Sequence, residues 1–139
     1  GFPKDISLYQ GTKTIDNIES GLKPGGTLIL IIEARKGGGP AEYFDWAKDL
    51  VAGTIEQRLR EHFTVAGYIF FLNCEQAQRY NILLYSSIAP EDVAPMGIKA
   101  FSDVNALLDA AQLEGKSIYV IPNGSTVIPH VKEASKHEA

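Results

Sequence analysis

Thr27-Leu28-Ile29-Leu30-Ile31-Ile32-Glu33 decides the fold. Its unbroken apolar run has the length of a strand and is too short for a typical helix. Continuous rather than alternating hydrophobicity predicts a strand buried on both faces, as in a parallel sheet. Parallel strands need crossover connections, so helices are expected before the next strand.

The flanks supply them. Upstream, Leu8, Gly11, Ile15, Ile18 and Leu22 recur at spacings of three and four, one face of a helix. Asp5 or Ser7 is placed to cap it, and Lys23-Pro24-Gly25-Gly26 stops it. Downstream comes a glycine-rich loop, Arg35 to Pro40, and then a helix over roughly 40–51. Thr54 and Gln57 are spaced as a capping box for another helix, with Ile55, Leu59 and Phe63 inward. Residues 66–80 mix signals: Tyr68 to Leu72 favours strand and the following residues favour helix. Helix is the better reading, because a clear strand, Ile82 to Ser86, follows at once. A short helix is expected at Pro90–Val93, an extended piece at Lys99–Phe101, and a helix capped by Ser102 or Asp103 through Leu113. Ser117 to Ile121 reads as the last strand, and Pro122-Asn123-Gly124 as a turn.

Strands alternating with helices predict an α/β fold: a three-layer sandwich around a small, mostly parallel sheet of three to five strands, Rossmann-like in type. Residues 1–131 are expected to form a single α/β domain, and 132–139 a polar, frayed tail. The chain of 139 residues suits one domain.

A net charge of −4 argues against a nucleic-acid surface and against a polybasic membrane patch. No apolar run is long enough to span a bilayer as a helix. The single cysteine, Cys74, excludes a disulfide within the chain and fits a cytoplasmic location. Beginning Gly1-Phe2-Pro3 without an initiator methionine, the chain reads as part of a larger enzyme.

Intrinsic chemistry is thin. His62, His130 and His137 show no metal-ligand spacing, and neither a serine-nucleophile elbow nor a nucleotide motif is present. The Gly37-Gly38-Gly39 loop lies where α/β sheets bind ligands and could cradle phosphate, but without nucleotide-motif spacing it reads rather as a mobile surface loop. Gln10 and Lys13, three residues apart, share a helical face that Asn17 extends. That face is either a solvated polar surface or a carboxylate clamp, with an ammonium for charge and an amide as directed donor. A nearby helix N-terminus would favour an anion there.

Several short blocks arrive in a telling order. Gly1-Phe2-Pro3-Lys4-Asp5 is followed by Leu8-Tyr9-Gln10 and Lys13; Gly25-Gly26-Thr27 precedes the apolar strand and Ala34-Arg35-Lys36-Gly37-Gly38-Gly39 follows it. A strand ends at Ser86, and Val120-Ile121-Pro122-Asn123-Gly124 closes the series before Val127-Ile128-Pro129. This pattern resembles the C-terminal domain of the nickel-pincer-nucleotide-dependent lactate racemase family. The resemblance implies a two-domain racemase or epimerase of 2-hydroxy acids, working by hydride transfer to a nickel-pincer nucleotide. It assigns the cofactor, the nickel ligand and the acid–base histidines to an N-terminal domain of the same polypeptide. This chain then carries no catalytic residue, cofactor or metal, and is expected to be inactive alone. Gln10 and Lys13 match the family's substrate-binding pair, with Tyr9, Arg35 and Gly37 as candidate cleft-lining residues.

Two departures leave the hydroxy acid or sugar acid open. Lys36-Gly37 stands where the family commonly has Asp-Gly, and no aromatic lies within 64–67. The competing reading is a stand-alone α/β ligand-binding or protein-interaction domain without catalysis.

Overall fold

In the computed structural model, which describes residues 1–132, three strands form one parallel sheet in the order β1 (Thr27–Ile31), β2 (Asn81–Tyr85), β3 (Lys99–Phe101). β1 pairs with β2 from Thr27 opposite Asn81 to Ile31 opposite Tyr85. β2 pairs with β3 from Leu83 opposite Lys99 to Tyr85 opposite Phe101. The helices are α1 (Leu8–Gly11), α2 (Lys13–Ile18), α3 (Ala47–Ala52), α4 (Ile55–Glu61), α5 (Val65–Arg79), α6 (Pro90–Val93) and α7 (Val104–Ala111).

Strand alternation divides the core between two faces. Leu28, Leu30, Ile32, Ile82 and Leu84 face a cluster built with Leu8, Ile15, Trp46 and Phe70. On the opposite face Leu83 packs with Leu107 and Ala111 of α7, flanked by Ile29, Tyr85 and Phe101. The result is the expected three-layer α/β arrangement.

α5 resolves the ambiguous stretch in favour of helix. Ala66, Gly67, Phe70, Asn73 and Cys74 are buried at helical spacing, so tertiary burial outweighs the strand propensity of Tyr68 to Leu72. Thr64 caps it, its hydroxyl accepting from the Gly67 N–H at 3.0 Å.

Five local expectations need correction. β1 is an edge strand, not one buried on both faces, and Ile31 is 71% exposed. The doubly covered strand is β2, because the eight-residue α7 packs over β2 and β3. Ser117 to Ile121 forms no strand; Ile118, Tyr119 and Val120 are exposed, and β propensity without a partnered edge leaves no ladder. The capping box at Thr54 does not form: its hydroxyl turns back to the Asp49 carbonyl and carboxylate, while Gln57 donates to Glu61. Finally, the first helix is interrupted at Thr12, and the second begins at Ala47 after a 3-10 turn, Phe44–Trp46. Of the expected tail, only Lys132 lies within the described residues, and it is exposed.

Candidate functional site

The site grows from the junction between the end of β1 and the start of α1. Past Glu33 the chain turns sharply at Ala34, a buried residue with φ of 50°. An L-residue there costs about 1–2 kcal/mol, so the turn must be held from outside. It is held by pairing with the N-terminal segment. Ala34 N–H donates to the Asp5 carbonyl at 2.8 Å, and Lys36 N–H to Ile6 at 2.9 Å. In return, Leu8 N–H donates to the Gly37 carbonyl at 2.9 Å and Tyr9 N–H to Gly38 at 3.1 Å. Ser7 completes the cap, its hydroxyl accepting from Gln10 N–H at 3.4 Å.

This pairing decides what the glycine loop does. The free N–H groups at the start of α1 are the ones that would attract an anion. Here those of Leu8, Tyr9 and Gln10 are taken by loop carbonyls and the Ser7 hydroxyl. The loop caps the helix and is not a phosphate cradle. Gly39 lies at φ of 105° with Ser7 against it: a β-carbon there would stand 2.9 Å from the Ser7 hydroxyl oxygen. Gly11 serves the other side. Its missing side chain admits Ile32, whose Cδ1 lies 2.7 Å from where a β-carbon would be.

Of the residues singled out from sequence, Tyr9, Gln10 and Lys13 sit together on α1 and the start of α2. Lys13 is exposed and Gln10 half-buried. The Lys13 ammonium lies over the Tyr9 ring, 5.4 Å from its centroid. Tyr9 and Tyr43 form a T-shaped pair with centroids 6.3 Å apart. Arg35 is exposed, its guanidinium 5.1 Å from the centre of the Phe2 ring. Gly37 spends its carbonyl on Leu8. Asn17 departs from the polar surface expected of it: its amide donates to the Gly124 carbonyl at 3.3 Å, and Thr14 also packs on Gly124. The closing Asn123-Gly124 turn is therefore a structural partner of α2.

Sequence reasoning missed two features. Beneath the helices, Tyr43 O–H donates to Asn73 at 2.8 Å, Asn73 donates to Gln76 at 3.0 Å, and Gln76 donates to Asp16 at 2.7 Å. Asn73 and Gln76, polar on the buried stripe of α5, were the available signal. The second is a shallow cleft of about 380 Å³ at the carboxyl ends of the strands, lined by Ile31, Ile32, Glu33, Tyr85, Ser86, Ser87 and Ser102. That is where ligands enter α/β sheets. Ile32 joins it to Gly11 and so to the helix carrying Gln10. No aromatic falls within 64–67, but Phe63 and Tyr68 flank the stretch, exposed, with centroids 6.1 Å apart.

Burial, and secondarily the charge of Glu75, push the Cys74 thiol up to about 12. Burial drives the Tyr43 hydroxyl well above the ordinary phenol range. Neither is poised for proton transfer near neutrality. Among the described residues, no group of three or more His, Cys, Asp or Glu side chains is placed to hold a metal. The described residues therefore do not fit a nickel-bearing group. His137 lies outside the described residues. No described helix is long and apolar enough to cross a membrane.

No curated protein matches the chain. Among solved structures, the lactate racemase apoprotein from Thermoanaerobacterium thermosaccharolyticum has a similar fold, with a TM-score of 0.75 at 23% sequence identity. The match covers 92% of this chain and 33% of that one, so the chain spans about a third of the length of this solved relative. The model of the lactate racemase C-terminal domain family matches residues 1–129. With that match over nearly its whole length, the chain belongs to the lactate racemase C-terminal domain family.

Proposed function

We propose that this chain is the substrate-clamping domain of a lactate racemase-like enzyme that racemises or epimerises 2-hydroxy acids. Lys13 supplies the charge that attracts the substrate carboxylate, and the Gln10 amide supplies a directed hydrogen bond. Such a clamp acts by orientation, lowering the entropy cost of bringing the carbinol carbon to the reacting groups. Tyr9 floors the lysine, and Arg35 and Gly37, in the loop that caps α1, are proposed to line the substrate cleft. The hydride chemistry belongs to a nickel-pincer nucleotide held by an N-terminal domain of the same polypeptide, and this chain alone is inactive. We read residues 1–131 as one domain, acting in the cytoplasm without nucleic acid or membrane.

The observation that supports this reading most is the pairing of α1 with the loop after β1. It holds the segment that carries Tyr9, Gln10 and Lys13 against the loop leaving the carboxyl end of β1, with the Lys13 ammonium over the Tyr9 ring. Titration of the isotope-labelled chain with lactate and with neutral lactamide tests it. Saturable shifts at the Gln10 side-chain amide and Lys13 with lactate, absent with lactamide, are expected. Equal responses to both, or none to either, would remove the clamp.

A further inference from the structure

The buried polar chain and the aromatic pair form one closed circuit. It starts on α2 at Asp16, which accepts from Gln76, and passes through Asn73 to the Tyr43 hydroxyl. Tyr43 presents its ring to Tyr9, and Tyr9 lies beneath the ammonium of Lys13, back on α2. Asp16 and Lys13 stand three residues apart, so the circuit begins and ends within one turn of one helix. Tyr43, Asn73 and Gln76 are fully or almost fully buried, and each side chain has its partner.

A buried amide–phenol network is costly where an apolar core would serve, because every polar member must be satisfied. Such a network fixes direction as well as packing. Phe44 and Phe70 already surround the Tyr43 ring, with centroids 5.3 and 5.5 Å away. A hydroxyl held at 2.8 Å adds an anchor at the far end of the ring, so that its long axis cannot tilt within the pocket. The direction of that axis sets where the Tyr43 ring meets Tyr9, and through it the platform under Lys13.

We propose that Tyr43 and Asn73 are positioning residues for the Lys13 ammonium, the hydrogen bond between them fixing the Tyr9 ring beneath it. The proposal rests on the clamp reading only for its purpose; the geometric coupling stands or falls separately. Nothing in the circuit touches a substrate.

The test uses the full chain labelled with carbon-13. In the wild type, the ε-methylene protons of Lys13 should resonate upfield of an exposed lysine, because they lie over the Tyr9 ring; Tyr9→Leu calibrates the loss of that shift. Tyr43→Phe and Asn73→Leu each break the hydrogen bond, and each should lose most of the upfield shift. If Asn73→Leu does not fold, Tyr43→Phe decides alone, since it keeps the ring. A folded variant that is less stable yet keeps the wild-type Lys13 shift would overturn the proposal, because that is the signature of packing alone. Lactate added to the wild type separates the two readings. A displaced Lys13 signal supports the clamp, and no response removes the clamp while leaving the coupling to be judged by the variants.

Discussion

The backbone N–H of Leu8 donates to the carbonyl of Gly37 at 2.9 Å, so the loop after the first strand closes the start of the helix that carries Gln10. Sheet edge and candidate clamp are thereby one unit. The glycines are needed because the loop must bring its carbonyls, not its N–H groups, against a helix end.

Gly39→Ala tests that clasp. The substitution forces a side chain onto a backbone at φ of 105° and into the Ser7 hydroxyl. A loss of about 1–3 kcal/mol in unfolding free energy is expected from strain and displacement together. Urea denaturation measures it, and an unchanged midpoint would show that the loop is not tied to the helix as described.

Cys74 should be inert at neutral pH. With its thiol pushed up to about 12 by burial and by Glu75, almost no thiolate exists to react. A thiol reagent should label it only as the chain unfolds; rapid stoichiometric labelling of the folded chain would contradict the burial. The same shift has a stability consequence. Above its ordinary pKa near 9 the unfolded thiol loses its proton while the folded one keeps it. The folded state then binds more protons, and stability falls as pH rises from 9 towards 12. Tyr43, raised in the same direction, adds to the fall at the upper end. A denaturation midpoint that stays flat through this window would argue against both assignments.

The segment before the closing turn carries a third expectation. Ile118, Tyr119 and Val120 belong to no strand, and Tyr119 is 87% exposed. Their amides should exchange with solvent at rates near those of an unstructured chain, while Leu83 at the sheet centre remains protected. Hydrogen exchange resolved by residue distinguishes the cases. Protection of Tyr119 and Val120 comparable to that of Leu83 would mean that the sheet has a fourth strand.

Much of this was legible in the sequence because it depends on local pattern. The apolar run at Thr27 to Glu33, the helical periodicity from Leu8 and the second strand at Ile82 each declare themselves within a few residues. Long-range consequences did not. Whether Ile31 meets a helix or water depends on how far α7 reaches, and α7 is short because Gln112 adopts a left-handed conformation that ends it. Ser117 to Ile121 has strand chemistry, but a strand needs a neighbour that propensity cannot supply. At the site, Gln10 and Lys13 were visible as a shared face. The network beneath them was not, since Tyr43 and Asp16 lie 30 and 60 residues from their partners Asn73 and Gln76 and meet them only after α5 has packed.

Lys13 and Gln10 are proposed to hold the carboxylate of a hydroxy acid. The most direct measurement is the affinity and turnover of the full-length enzyme with Lys13→Ala against lactate and related 2-hydroxy acids. Loss of a charged partner should weaken acid binding by about 1.5–3 kcal/mol, roughly 10- to 150-fold, and slow racemisation. Unchanged affinity and unchanged kinetics would contradict the account.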